Sequence, residues 1–164
     1  MFEDIKANIS DWSNEDEIEK YLLKILRKEA FDKSGLIYGI GHAVYSLSDP
    51  RANILRKLVI EIADKKGLDR ECELYLKVEK LAPIVIGKER RIYKGVSSNV
   101  DFYSGLFYSM LGIPNELFTP LFAMARIIGW SAHRIEEIIN QGKIIRPAYK
   151  CVIEPREYIN MENR

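Results

Sequence analysis

The sequence contains few cysteines, and none of them lies in a metal-binding or disulfide pattern. Cys72 and Cys151 are the only two among 164 residues, and no C-x-x-C spacing occurs. This argues against a zinc site and against a disulfide framework, and it fits a reducing compartment. Residues 1–6 also lack the basic and then apolar run of a secretory signal. We therefore expect a cytoplasmic protein with no metal site.

The sequence also lacks a strong excess of one charge and a long uninterrupted apolar run. The formal net charge is +1, so no overall field attracts nucleic acid or an anionic membrane. The longest apolar stretch, residues 117–132, is too short for a membrane span and is interrupted by Pro120, Arg126 and Gly129. We expect neither a nucleic-acid partner nor a membrane partner, although clustered arginines could still bind a small anion.

Apolar residues recur at helical spacing in most of the chain, and no two segments alternate as paired strands. The fold class predicted is all-α. The predicted helices begin at Asn14, at Asp49-Pro50, near Asp69, at Val100 and at Leu117, and the first four end near Phe31, Gly67, Ile86 and Leu111. Between them we predict a glycine-containing loop around His42 and a polar connection over residues 87–95. The tail from Lys143 is predicted to be extended.

The last predicted helix, Leu117–Ala132, is apolar on almost every side, which is typical of a helix buried all round. From His133 to Gln141 the segment becomes polar, so its end is expected to emerge into water. Arg126 is the one charged residue within the apolar part. A buried guanidinium needs an anionic partner or a water-filled cavity. That partner is either a carboxylate in a structural salt bridge or a bound anionic ligand.

Four other polar residues have both a structural and a functional interpretation. His42 follows Gly39-Ile40-Gly41, where small residues let a ligand approach the backbone, but a lone histidine is often structural. Asp101, near a helix start, interacts favourably with the helix dipole. Arg51 is a cation at an already positive helix end, which is an unusual place for it. His133, where the apolar segment becomes polar, is interpreted as structural.

These residues belong to a series of motifs that resembles the citrate synthase family. The motifs occur in the family's order over the whole chain from about residue 15: GIGHAVY at 39–45 with DPRA at 49–52, NVDFYSG at 99–105, LGIP at 111–114, LFAMAR at 121–126 with GWSAH at 129–133, and KIIRP at 143–147. Ala43 and Ser98 are mild departures, since arginine and proline are common at these positions in the family.

The resemblance implies a citrate-synthase-like helical small domain over residues 1–115, followed by a buried C-terminal helix and extended tail over 116–164. It also implies that the chain corresponds to the C-terminal portion of the enzyme. A further catalytic histidine and the large domain of the family would then lie upstream of Met1. On this view the chain alone is expected to show no meaningful condensation.

Citrate synthases condense acetyl-CoA with oxaloacetate and hydrolyse the thioester. The resemblance implies that Asp101 is the base that removes a methyl proton, and that His42 hydrogen-bonds the oxaloacetate carbonyl. It implies that Arg51, Arg126 and Arg146 bind the carboxylates of oxaloacetate, which arginine matches with two parallel hydrogen bonds. The family position of Arg126 favours the ligand over the salt bridge.

The same resemblance implies that the backbone of Ile40 and Gly41, within the loop Leu36–His42, helps to hold CoA. Acetyl-CoA is then a substrate, and no tightly bound cofactor is expected. Arg146 would reach the active site of a neighbouring subunit, which implies a homodimer. Two other interpretations stay open: the small subunit of a split citrate or 2-methylcitrate synthase, and a non-catalytic module that binds CoA or a dicarboxylate.

Overall fold

The computed structural model describes residues 1–91, 95–140, 154 and 156–163. These residues form seven α-helices and two short 3₁₀ turns, with one isolated antiparallel bridge between Ile40 and Ser98. The prediction of an all-α fold is confirmed. The helices are α1 (Phe2–Asn8), α2 (Glu15–Leu26), α3 (Pro50–Lys66), α4 (Asp69–Arg90), α5 (Val100–Met110), α6 (Phe118–Met124) and α7 (Ile127–Ile139).

Three helices begin where the sequence places a capping side chain. The side-chain oxygens of Asn14, Asp49 and Asn99 each accept a hydrogen bond from the backbone N–H two residues further on, at 3.0 Å. These bonds satisfy N–H groups that have no partner inside the helix. At the other end of α3, Gly67 adopts the left-handed conformation (φ 65°) that ends many helices. The predicted starts of α2, α3 and α5 are confirmed.

Several predicted boundaries are wrong. Helix α1 was not predicted. Helix α2 ends at Leu26 and not near Phe31, because the chain then enters a run in which Lys28, Phe31 and Lys33 have positive φ. Helix α4 continues to Arg90, beyond the predicted end at Ile86.

Ion pairs to α2 hold the additional turn of α4. Arg27 donates from Nε to Oε1 of Glu89 at 2.8 Å, and Lys88 Nζ lies 3.1 Å from Oε1 of Glu19. Residues 87–90 are polar, so their helical state depends on these tertiary contacts more than on an apolar period.

The core lies in the first of two compact units, Met1–Leu121. In this unit α4 packs against α2 and α3, and α5 packs along α3. Its largest fully buried side chains include Ile5, Ile18, Leu22, Leu74 and Tyr103. Burying each such side chain contributes about 1.5–3 kcal/mol, so this unit contains most of the apolar stabilisation of the described chain.

The second unit is Phe122–Arg164. The prediction of one continuous buried helix over Leu117–Ala132, a segment that includes the boundary between the two units, is wrong. The segment forms the 3₁₀ turn Asn115–Leu117 and then α6 and α7, which are separate helices. None of the residues of α6 or α7 is buried, and Arg126 is exposed.

A local hydrogen bond explains the break. The backbone N–H of Arg126 bonds to the carbonyl of Ala123 at 3.0 Å instead of to that of Phe122. The Phe122 carbonyl accepts from Nη1 of the Arg126 side chain at 2.9 Å. The side chain has therefore taken the acceptor that a continuous α-helix would use. The predicted extended tail from Lys143, together with Arg146 and Cys151, lies outside the described residues apart from 154 and 156–163.

Candidate active site

The glycine loop, residues 39–42, is held by backbone hydrogen bonds to residues 97–99, which we name the cap segment because Asn99 caps α5. The Gly41 N–H donates to the Ser97 carbonyl, and the Asn99 N–H donates to the Gly39 carbonyl, both at 2.8 Å. Nδ2 of Asn99 donates to the Gly41 carbonyl at 2.8 Å. One asparagine thus caps α5 and fixes the loop that carries His42.

Gly39 is required by this arrangement. Its φ is 84°, and a Cβ at this position would lie 2.8 Å from Cα of Phe102 in α5. Any other residue would therefore clash with the helix backbone and adopt a strained conformation. Gly39 lets the loop lie directly against the first turn of α5.

His42 is exposed, and its ring orientation is set by its own loop. The Nδ1 atom accepts hydrogen bonds from the backbone N–H groups of Val44 and Tyr45 at 3.0 and 3.1 Å. Backbone N–H groups can only donate, so Nδ1 carries no proton and the proton of the neutral ring is assigned to Nε2. His42 therefore presents an N–H donor on its outer edge.

Arg51 is oriented by the fully buried carboxylate of Asp49. Its Nε and Nη2 donate to Oδ1 and Oδ2 of Asp49 at 3.0 and 2.9 Å, and its Cζ lies over the Tyr45 ring, 5.4 Å from the ring centroid. The hydrogen bonds from Arg51 lower the pKa of Asp49 from 3.8 to about 2, against the opposing effect of burial. The Arg51 side chain remains 46% exposed, so the edge facing away from Asp49 is accessible.

The Nε2–H group of His42 and the guanidinium of Arg51 lie next to each other. Nε2 of His42 lies 3.4 Å from Nη2 of Arg51. Because the guanidinium only donates and the assigned His42 tautomer donates from Nε2, these two atoms do not satisfy each other. An oxygen acceptor between or beside them would satisfy both, as a carbonyl or carboxylate oxygen does.

Asp101 is exposed in the first turn of α5, with its N–H capped by Asn99. It lines a pocket of about 350 Å³ whose other lining residues include the aromatic side chains of Phe2, Tyr75, Phe102 and Phe118. Hydrogen bonding to Asp49 raises the pKa of Arg51, and the charge of Asp101 raises it slightly further. His42 lies beside Arg51, and Asp49, the partner of Arg51, accepts a hydrogen bond from the N–H of Val100, which immediately precedes Asp101. These contacts place His42, Arg51 and Asp101 in one region of the first unit.

Several backbone groups of the glycine loop already form hydrogen bonds within the chain. The N–H and the carbonyl of Gly41 both bond to the cap segment, and the Ile40 N–H donates to the Ile37 carbonyl at 3.3 Å. A ligand bound to Gly41 would therefore use the second lone pair of its carbonyl oxygen.

Arg126 and His133 belong to the second compact unit. The Arg126 guanidinium also stacks on the Phe122 ring at 4.7 Å. His133 is exposed, with Nδ1 lying 3.3 Å from Oε2 of Glu136. Arg146 lies outside the described residues.

Two residues at the site were missed by sequence reasoning as functional groups. Asp49 was interpreted only as a helix cap, and Asn99 only as part of a motif. A signal existed for Asp49, because an aspartate two residues before an arginine at a helix start can cap the helix and pair with the arginine. The contact of Asn99 with Gly41 depends on tertiary structure and has no local signal.

Within the described ranges, no cluster of three or more His, Cys, Asp or Glu residues could hold a metal ion. None of the helices in the described part of the chain combines the length and apolar character that a membrane crossing requires.

Comparison with known families gives a match over most of the chain. The profile of the family described as "Citrate synthase, C-terminal domain" matches residues 1–148. A citrate synthase of Synechocystis sp. is 47% identical over 111 residues, which are 68% of this chain and 26% of that protein. A 2-methylcitrate synthase of Shewanella oneidensis is 35% identical over 158 residues, which are 95% of this chain and 38% of that protein. The chain thus spans about a third of the length of such relatives.

A solved structure agrees with these matches. It is the ternary complex of carboxymethyl coenzyme A and oxaloacetate with the citrate synthase of the thermophilic archaeon Thermoplasma acidophilum. The similarity has a TM-score of 0.60 at 28% identity, and it covers 99% of this chain and 42% of that one.

Proposed function

Because this chain belongs to the citrate synthase family, we propose that its residues serve the condensation of acetyl-CoA with oxaloacetate, followed by hydrolysis of the thioester to citrate and CoA. The observation that carries the proposal is the convergence of the His42 Nε2–H and the Arg51 guanidinium, 3.4 Å apart. Two donors without a mutual acceptor suit a 2-oxo acid, whose carbonyl and carboxylate oxygens are adjacent. Arg126 and Arg146 take the remaining carboxylate contacts by family position.

The chemistry follows from these roles. The Asp101 carboxylate removes a proton from the methyl group of acetyl-CoA, and the resulting enolate attacks the carbonyl carbon of oxaloacetate. The new carbon–carbon bond leaves negative charge on the former carbonyl oxygen, which the His42 Nε2–H stabilises by hydrogen bonding and which takes up a proton to become the hydroxyl group of citrate. Water then cleaves the thioester, which releases CoA as a thiol and leaves the carboxylate of citrate.

Asp49 supports this chemistry. With a pKa of about 2 it stays ionised at neutral pH, and so it keeps the Arg51 fork fixed. A pre-oriented arginine loses less conformational entropy when it binds a carboxylate. Acetyl-CoA enters as a substrate, held in part by the loop at Ile40 and Gly41. The proposal also includes a homodimer and a cytoplasmic location.

A chimera tests the proposal. Residues 1–148 would replace the matching C-terminal part of the Synechocystis citrate synthase, and thiol release from acetyl-CoA and oxaloacetate would be followed. We expect turnover in the chimera and a loss of at least about 10³-fold in kcat for Asp101→Asn, with oxaloacetate binding retained. A folded chimera that binds oxaloacetate but gives no turnover would instead support the non-catalytic module.

Asp16→Asn is the matched control. Asp16 occupies the same position in α2 as Asp101 does in α5: each follows an asparagine cap by two residues and donates its N–H to that cap at 3.0 Å. Both side chains are exposed. An equal loss of activity in both variants would show that helix-end charge, and not a base, explains the effect.

A second candidate is 2-methylcitrate synthesis from propionyl-CoA. The observation in its favour is the similarity to the Shewanella 2-methylcitrate synthase, which covers 95% of the chain. One extra methylene changes binding by only about 1–3 kcal/mol. The ratio of kcat/KM for propionyl-CoA and acetyl-CoA in the chimera, compared with that of the parent enzyme, separates the two. A split enzyme would show activity when the chain is mixed with a separately produced large domain.

A further inference from the structure

A single carboxylate in the middle of α4 joins three other parts of the first unit. Oε1 of Glu79 accepts a hydrogen bond from the Ser98 hydroxyl at 2.5 Å. Oε2 accepts from the Tyr103 hydroxyl at 2.5 Å and from Nε of Arg56 at 3.1 Å. The Glu79 side chain is 23% exposed, while Tyr103 is fully buried.

Two of these partners belong to the elements that carry the candidate site. Ser98 lies in the cap segment, between the two residues that bond to the glycine loop, and it forms the bridge with Ile40. Tyr103 lies in α5 two residues after Asp101. Glu79 therefore holds the cap segment and the first turn of α5 to the same helix. Through them it holds the loop that ends at His42.

We propose that Glu79 is a positioning residue that fixes the glycine loop and the first turn of α5 relative to each other, and with them His42 and Asp101. Its relevance to catalysis rests on the proposed function. The geometric role of Glu79 within the chain does not.

The chemistry of the three partners calls for a carboxylate. Both hydroxyls and the guanidinium donate to Glu79, and an ionised carboxylate offers about four lone-pair sites with no hydrogen to interfere. Burial first, and then the bond to Glu79, raise the pKa of Tyr103, so the phenol stays a donor. Glutamine has one acceptor oxygen, and its NH₂ group would face a donor.

The competing interpretation is that Glu79 only forms an ordinary ion pair with Arg56, which joins α4 to α3. Another glutamate of α4 allows the two interpretations to be compared. Glu89 also accepts from the Nε of an arginine, Arg27, at 2.8 Å, and its side chain is 31% exposed. Its partner Arg27 directly follows the last residue of α2, so this ion pair joins α4 to the end of α2 and not to the cap segment or the glycine loop. Glu89→Gln therefore removes a similar ion pair without the connection to the site.

Hydrogen exchange on this chain tests the inference directly. The backbone N–H groups of Gly41 and Asn99 form the bonds between the loop and the cap segment. In Glu79→Gln we expect both to exchange roughly three- to tenfold faster than in the wild type, after correction for any change in global stability. In Glu89→Gln the corrected rates should be unchanged. Equal corrected rates in the two variants would overturn the proposal.

Two single-donor variants keep the test decisive if Glu79→Gln does not fold. Ser98→Ala removes the bond to the cap segment, and Tyr103→Phe removes the bond to α5. We expect Ser98→Ala to accelerate exchange at Gly41 and Asn99, and Tyr103→Phe to act mainly at the first amides of α5. The absence of a local effect in both would contradict the proposal.

Activity in the chimera provides a second, independent measurement. Glu79→Gln should lower kcat/KM about tenfold, and Glu89→Gln should leave it within about twofold, because only the first displaces His42 and Asp101. An inactive parental chimera would count against the proposed function alone, and the exchange rates would still decide the role of Glu79. Equal kcat/KM losses in an active chimera would overturn the catalytic relevance of Glu79.

Discussion

The carboxylate of Asp49 accepts a hydrogen bond from the backbone N–H of Val100 at 3.1 Å. One fully buried side chain therefore joins the first turns of α3 and α5, while its bonds to Arg51 orient that arginine beside His42. The cap of one helix is thus also a link to the helix that carries Asp101, so stability and site geometry depend on the same group.

Asp49→Ala should destabilise the chain by roughly 2–4 kcal/mol, because it removes a helix cap and leaves the Val100 N–H without its charged acceptor. Asn14→Ala is the control, since Asn14 caps α2 but forms no ion pair, and should cost about 1 kcal/mol. Urea unfolding followed by circular dichroism measures both. Equal costs would show that Asp49 acts only as a cap.

The stability of the chain should fall in acid partly through Asp49. Its pKa is about 2 in the folded chain and 3.8 as the ordinary value. The folded state thus favours the ionised form of Asp49. The contribution of this carboxylate to the free energy of unfolding is fully present above about pH 4 and is lost as the pH falls through about 2. The difference in unfolding free energy between wild type and Asp49→Asn should shrink from pH 5 to pH 2. A constant difference would contradict the assignment.

The sequence predicts most of the first unit because its helix signals are local. A cap at Asn14 or Asp49 and a glycine at position 67 each act within a few residues, and the structure confirms them. The additional turn of α4 could not be predicted in this way, since it depends on ion pairs with Glu19 and Arg27.

The break at Arg126 escaped prediction for a different reason. Apolar periodicity indicates which residues avoid water, but it does not reveal that an arginine side chain takes the carbonyl of Phe122. The expectation that Arg126 is buried followed from that periodicity and was wrong for the described chain.

The candidate site was predicted through the family resemblance, which gave residue types and order. Its geometry was not predicted. The donor pair of His42 and Arg51 and the contacts of Glu79 join residues that are far apart in sequence or depend on one ring orientation. The roles of His42, Arg51, Asp101, Arg126 and Arg146 stay predictions.

His42 should populate the tautomer protonated at Nε2 when it is neutral, because two backbone N–H groups point at Nδ1. Long-range ¹H–¹⁵N correlation spectra of the neutral ring distinguish the tautomers. His133 is the internal comparison, since its Nδ1 faces the Glu136 carboxylate, which favours a proton on Nδ1. A predominant Nδ1–H form at His42 would remove the donor pair on which the proposed function rests.

The chain should self-associate through α7. Five isoleucines, at positions 127, 128, 135, 138 and 139, lie on one face of this helix, and each is more than half exposed. A contiguous apolar face of this kind marks an interaction surface, and a symmetric pair is the simplest closed arrangement. Sedimentation velocity at micromolar concentration should show a dimer for the wild type and a monomer for Ile128→Glu combined with Ile135→Glu.

Because neither isoleucine is buried, the thermal unfolding midpoint of the double variant should change little beyond the loss of association. His133→Glu adds a negative charge on the opposite face of α7 and should leave the dimer intact. A compact wild-type monomer would show that α7 does not drive association.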